Sequence, residues 1–222
     1  LVTANTVGGA GVISANGGNP GQLNSTWGTG GGGRIAIYAN SLLLPSNAIQ
    51  AYSGGSGNRG GAGTVYLNLA SQTPSLTYDN GGGIAASTFF SEPLTFEGDV
   101  VVRNGASLSH RPGDTAGLQI NITGDLLVES TGSIDVSAMG FGPDQGPGAG
   151  TWNGGNNCGN TGAGHGGSGG ASNCQSGGMS YGSITQPTTM GSGGASRDAG
   201  PSPTISGGGV IRLTVAGTLT VD

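Results

Sequence analysis

Apolar side chains recur at every second position in several short stretches, and no stretch carries the spacing of an amphipathic helix. Three stretches share one skeleton: GGGRIAIYANSLLL over residues 31–44, GLQINITGDLLV over 117–128 and GGGVIRLTVAGTL over 207–219. Aligned by alternation, Ile35, Leu118 and Ile211 coincide, then Ile37, Ile120 and Leu213, then Ala39, Ile122 and Val215, then Leu43, Leu126 and Leu219. A period of two presents one apolar face along a strand, so these stretches predict short strands whose inward residues line one shared core. A small residue before the last leucine, Ser41, Gly124 or Gly217, predicts a bend or a close backbone approach.

A second unit recurs beside the first. GVISANGG (11–18), AIQAYSGG (48–55) and GSIDVSAMG (132–140) each open on a short alternating strand and run into a small or turn-forming residue. Over 86–114 the alternation is local, with Leu94 and Phe96, then Val100 and Val102, facing inward, and Asn104-Gly105 and Pro112-Gly113 mark turns. Short strands tied by corners at such intervals predict an all-β fold, a glycine-rich β-solenoid or parallel β-helix. The alternative is a β-sandwich-like fold, with the strands near 95–105 and 118–128 pairing as a hairpin. The glycine-rich interval up to Ser206 is too long for an ordinary sandwich connection, and the skeleton resumes at Gly207, which favours the solenoid. The chain thus reads as a single β-repeat module over 1–222: a first repeat region at 1–70, central strands at 71–139, a glycine-rich surface excursion at 140–206 and a resumed repeat at 207–222.

Composition changes the picture in two respects. Glycine fills 51 of 222 positions, so dense backbone hydrogen bonding has to offset the entropy of the unfolded chain. Charged residues make up only 8%, so repulsion does not hold the chain open as in a disordered linker. The six cationic residues are all arginines, scattered along the chain, against eleven carboxylates, and the net charge of −5 excludes nucleic acid as an expected partner. There is no transmembrane run of 18 apolar residues. Neither a signal peptide nor an initiator methionine opens the sequence, which reads as a piece of a larger exported polypeptide.

The excursion holds both cysteines, Cys158 and Cys174. A disulfide between them fits a compartment outside the reducing cytosol and gives the glycine-rich stretch a fixed base; two free or metal-bound thiols are the other reading. His165 lies between them, but one histidine and two separated cysteines do not make a zinc site. Trp152 and Tyr181 offer flat apolar surfaces, and Asn153, Asn156 and Asn157 offer amides beside the indole. That combination suits a sugar, whose apolar face needs a polar border. These five residues are the expected ligand contacts. Asp135, Asp144 and Asp198 flank the excursion and carry oxygens of the kind calcium takes, yet no calcium-loop spacing accompanies them, so no metal or cofactor is expected.

Chemistry for catalysis is thin. Glu97 and Asp99 form the nearest carboxylate pair, on one strand face by alternation, and His110 next to Arg111 is the nearest base with a cationic neighbour. Neither is backed by a nucleophile elbow or a phosphate-binding loop, and the expectation is that the chain is not an enzyme.

GGGRIAIYA, GSIDVSAMG and GGGVIRLTVAGTLTVD resemble the glycine-rich β-repeat modules of large exported microbial surface proteins. The resemblance covers residues 1–70 and 117–222, and implies an extracellular or cell-surface location more than any reaction. The excursion is similar, less specifically, to phage tail-tip adhesins built from packed polyglycine strands. A structural or adhesive module follows as the expected function, a filament or surface-assembly subunit whose partners are copies of itself, neighbouring repeat domains or surface polysaccharide. The alternative is a carbohydrate-binding module or a polysaccharide-processing β-helix enzyme.

Overall fold

The computed structural model describes residues 1–19, 28–55, 59–83, 86–152, 158–196 and 205–222. In chain order the first strands are β1 (Val2–Val7), β2 (Ile13–Ser14), β3 (Arg34–Leu42), β4 (Ile49–Gln50), β5 (Thr64–Leu69), β6 (Ser75–Asp79), β7 (Thr88–Phe90) and β8 (Leu94–Phe96). They are followed by β9 (Asp99–Arg103), β10 (Ser107–His110), β11 (Leu118–Ile122), β12 (Leu126–Val128), β13 (Ser133–Ile134), β14 (Ile211–Val215) and β15 (Leu219–Val221). The fold is mostly β, with several interlinked sheets. Seven strands form one sheet in the order β1-β3-β5-β6-β9-β12-β15; two three-stranded sheets run β13-β10-β7 and β14-β11-β8, and β2 pairs with β4.

Pairing is parallel throughout the large sheet except between β5 and β6. Apolar residues stack in register on both sides of that junction. Ile35 lies beside Val65 and Ile37 beside Leu67, whereas Leu76, Val100, Leu126 and Leu219 follow one another across the later strands. At the junction Val65 faces Thr77, and Tyr66 faces Leu76. Directly opposed residues share a face. The buried Val65 and the buried Leu76 therefore point to opposite faces of the same sheet, and the apolar side changes between β5 and β6.

Each face has its own cover. Ile35, Ile37, Ala39 and Val65 pack with Ile49 and Ala51, around which Val2, Val7, Ile13, Leu42, Leu44 and Leu67 are partly buried. On the other face, Tyr78 meets Phe90 edge-on at 6.0 Å, and Tyr66 meets Phe96 at 5.9 Å. Val100, Val102, Leu108, Ile120 and Leu126 are fully buried.

This layout corrects part of the repeat alignment. The copies at 117–128 and 207–219 do stack, because Ala216 N–H donates to Ile122 O and Leu126 opposes Leu219, which sets Ile120 beside Leu213. Ile37 stands apart from them, in the large sheet and on the opposite apolar side. Leu43, aligned with Leu126 and Leu219, is 69% exposed beyond the end of β3. Alternation specifies a strand with two faces, and it carries no information on which sheet face is covered. The second unit divides likewise: Ile13 pairs with Ile49, but Ile134 pairs with Leu108 in another sheet. The strands near 95–105 and 118–128 form no hairpin, since Val100 and Leu126 pair in parallel.

The chain separates into two compact units, one of residues 1–109, 120–135 and 213–222, the other of 110–119 and 136–212. The second unit contains the segment expected as an excursion. Its backbone bonds there form no ladder. Segment 160–165 bonds to four others: Gly164 N–H to Gly148 O, Gly162 N–H to Gly170 O, Gly178 N–H to Gly162 O and Ala195 N–H to Thr161 O. A β-strand has two hydrogen-bonded neighbours, whereas glycine segments without side chains can be approached from every side. A Cβ on Gly178 would lie 1.9 Å from Gly148 O, and one on Gly164 would lie 2.3 Å from Met179 O, so side chains are sterically excluded there. The first unit repeats the device on a smaller scale. Segments 15–18, 30–33, 50–54 and 60–63 exchange bonds such as Gly17 to Tyr52, Gly33 to Ala15, Gly54 to Gly30 and Gly63 to Ala51.

Candidate functional site

The change of apolar side leaves β1, β3 and β5 with one outward face in front of the first rows of the second core. In β3, alternation buries Ile35, Ile37 and Ala39 and turns Ala36, Tyr38 and Asn40 the other way. Register places Thr3, Tyr38 and Asn68 in one row across the three strands, with Ala36 and Tyr66 in the next. Asn40 Nδ2 donates to Asn5 Oδ1 along the edge. The result is a shelf in the first unit.

Three rings line it. Tyr38 packs against Tyr66 at 5.5 Å between centroids and 62°, and Tyr66 against Phe96 at 5.9 Å and 88°. Edge-to-face contacts of this kind hold rings in fixed orientations. Tyr38 stays 41% exposed, and a hollow of about 320 Å³ beside it is lined by Thr3, Ala4, Tyr38, Ala39, Asn40, Asn68 and Ala70. An exposed aromatic ring is thus bordered by two amides and a hydroxyl. On the same face of the sheet, burial pushes the Tyr78 phenol up to about 12, a shift that the positive charge of Arg34 partly opposes.

None of Tyr38, Tyr66 or Asn68 was singled out by sequence reasoning. A signal existed: in RIAIYAN and TVYLNL the tyrosines stand out of phase with the buried aliphatics, hence outward. Their assembly into one surface depends on the registers of β1, β3 and β5, which alternation leaves open.

The residues expected to contact ligand lie in the second unit or outside the described residues. Trp152 is 45% exposed. Tyr181 is engaged, its hydroxyl donating to Met190 O and lying 2.8 Å from Ser192 Oγ, its ring 4.9 Å from that of His165. No ring contact joins Trp152 to Tyr181 among the described residues. Asn153, Asn156, Asn157 and Asp198 lie outside the described residues. Cys158 and Cys174 are joined, with Cα atoms 5.5 Å apart.

Asp144 ties two distant segments, its Oδ1 accepting from Ser196 N–H and its N–H donating to Gly194 O, and the Asp135 backbone bonds to Leu108 and Ser109. No group of three metal-ligating side chains occurs among the described residues. Glu97 and Asp99 do share an open groove of about 660 Å³ with Asp125. Two of the three carboxylates serve the backbone: Asp99 Oδ1 accepts from Asp125 N–H, and Asp125 Oδ1 accepts from Thr218 N–H, one turn capping the next. His110 is fully buried, with Nδ1 against Arg111 O and Nε2 accepting from Val210 N–H. It faces no groove. Among the described residues no helix is long and apolar enough to cross a membrane.

Comparison with family models, with curated proteins and with solved structures yields no match.

Proposed function

We propose that the chain is a β-solenoid module that binds a polysaccharide along the Tyr38–Tyr66 shelf and does not process it. The observation that carries this reading is the exposed Tyr38 ring, fixed by Tyr66 and bordered in register by Thr3, Asn40 and Asn68. Sugar rings present an apolar face edged by hydroxyls, and such a surface answers both parts. A shelf open along the strands suits a chain polymer better than a closed small-molecule pocket does.

The solenoid reading is supported by three sheets whose strands repeat in chain order. β6, β7 and β8 lie in three different sheets, β9, β10 and β11 lie next to them in the same sheets, and β12, β13 and β14 follow. Strand direction and apolar side reverse together between β5 and β6, which keeps one hand of winding along the whole sheet. Binding without turnover is favoured by the engagement of Asp99, Asp125 and His110 in backbone contacts. The Cys158–Cys174 bond fits an extracellular or cell-surface location.

The structural and adhesive role is a second reading, favoured by the uncovered outer strand β15. Leu219 is 45% and Val221 69% exposed, and pairing with another copy or a neighbouring repeat domain would cover that edge.

Affinity electrophoresis through gels containing neutral and acidic polysaccharides tests the leading reading. Wild-type chain is expected to be retarded by at least one polymer. Tyr38→Ala should weaken retention about tenfold, as the loss of one stacked ring implies, and Trp152→Ala should leave it unchanged. Retention that survives Tyr38→Ala but is lost with Trp152→Ala would move binding to the glycine-rich unit, and no retention by any polymer would defeat the proposal.

A further inference from the structure

On the opposite side of the β5–β6 junction the same change of apolar side leaves a defect. There the first core ends at Val65 and Leu67, which face Thr77 and Ser75 of β6, and on the same side of the sheet Asp79 of β6 lies beside Arg103 of β9. Leu42, Leu44 and Leu67 are only partly buried along this boundary. Between them lies a hollow of about 260 Å³, lined by Leu42, Leu44, Ser46, Ile49, Val65, Leu67, Thr77, Asp79 and Arg103. It is aliphatic on one side and charged on the other.

The charged side is only partly satisfied. Asp79 is buried and fully engaged: Oδ1 accepts from Gly81 N–H, and Oδ2 accepts from Arg103 Nε and Asn104 Nδ2. Arg103, by contrast, uses only Nε, 2.7 Å from Asp79, with its side chain 26% exposed. Its two Nη groups donate to no protein acceptor among the described residues. A guanidinium carries five donors in a planar fork, so most of the Arg103 fork remains open beside the leucines.

We propose that this hollow is a binding site for a short aliphatic carboxylate, its tail against Leu42, Leu44, Ile49 and Leu67 and its carboxylate on Arg103 Nη1 and Nη2. Asp79 does not bar the anion, because its pairing through Nε leaves the far edge of the guanidinium free, and the hydrogen bonds from Gly81 N–H and Asn104 Nδ2 share in stabilising its charge. Aliphatic walls without an aromatic ring favour a chain over a flat ring system, and a bidentate fork favours a carboxylate over a single hydroxyl. The site is separate from the polysaccharide shelf: it lies on the other face of the sheet and needs neither Tyr38 nor Tyr66.

Hexanoate is the probe, with hexanol and acetate as partial ligands that keep only the tail or only the head. Methyl NMR of the wild-type chain is expected to show saturable shifts of Leu42, Leu44, Ile49 and Leu67 on adding hexanoate, and none with acetate or hexanol at equal concentration. Arg103→Gln should weaken hexanoate at least about tenfold, as loss of a charge-assisted pair implies, whereas Tyr38→Ala should leave it unchanged. Equal shifts with hexanol, no methyl shifts with hexanoate, or undiminished binding by Arg103→Gln would each overturn the assignment. The wild-type titrations decide the matter even if Arg103→Gln fails to fold, and failure of polysaccharide binding has no bearing on them.

Discussion

At the scale of single residues, burial acts on Tyr78 and on His110 in different ways. His110 exchanges water for two backbone partners: Nε2 accepts from Val210 N–H, so the ring proton sits on Nδ1 and points at Arg111 O. A ring held at both nitrogens is a structural strut. For Tyr78, the folded pKa rises from 10.0 to about 12, mainly through loss of solvent. The native state therefore holds the phenolic proton more tightly than the unfolded chain does. That contribution, on the order of 2–3 kcal/mol, is complete below pH 10 and disappears as pH climbs through about 12. Urea unfolding between pH 9 and 12 checks this. Wild type should lose stability steeply in the upper half of that range, and Tyr78→Phe should lose distinctly less. Parallel decline of the two would mean that Tyr78 does not govern alkaline unfolding. Tyr52, also raised by burial and by the charge of Asp79, would then be the next phenol to replace.

At the scale of elements, the glycines that knit residues 160–165 to 177–178 act by admitting neighbours rather than by turning the chain. Gly164 and Gly167 make the contrast within one segment: a Cβ on Gly164 meets Met179 O at 2.3 Å and Gly178 O at 2.5 Å, whereas on Gly167 it meets nothing within 4 Å. Gly164→Ala should cost the second unit about 2–3 kcal/mol, since the obstructing atoms are backbone carbonyls of residues 178–179 and not a side chain that can swing aside. Gly167→Ala should change stability by less than about 0.5 kcal/mol. Hydrogen exchange at Gly162 and Gly178 measures both, and equal protection in the two variants would refute close packing. The strands at 118–122 and 211–215 were legible from alternation, down to the offset that sets Ile120 beside Leu213. Ordering of the glycine segments was legible only as a tendency, because bonds such as Gly150 to Gly193 join residues with no local pattern to pair them. The shelf was not legible as a site, since Tyr38 and Tyr66 come together through a register that spans 28 residues of sequence.

At the scale of the whole molecule, the decisive event is one reversal between β5 and β6. It turns on Ser71, which takes a left-handed φ of 63°, and on the bond from Gln72 N–H to Leu69 O. Neither residue belongs to the Asn-Gly type of turn that sequence makes conspicuous, so Ile37 could be grouped with Ile120 by pattern alone. Both the Tyr38–Tyr66 shelf and the hollow beside Arg103 lie at this reversal, one on each face. The two compact units differ in what holds them together: stacked aliphatic rows in the first, glycine backbone and one disulfide in the second. Closing a span of 16 residues restricts the unfolded chain by about 3 kcal/mol in the entropy model. Replacing both cysteines by serine should therefore speed exchange at Gly162, Gly164 and Gly178 by about a hundredfold. Amides of β9 and β12, such as Val100 and Leu126, should keep their wild-type rates, because nothing in their ladder is tied to that loop. Uniform acceleration in both sets would show that the units unfold as one cooperative body, and no acceleration in either would show that the glycine packing holds without its covalent clasp.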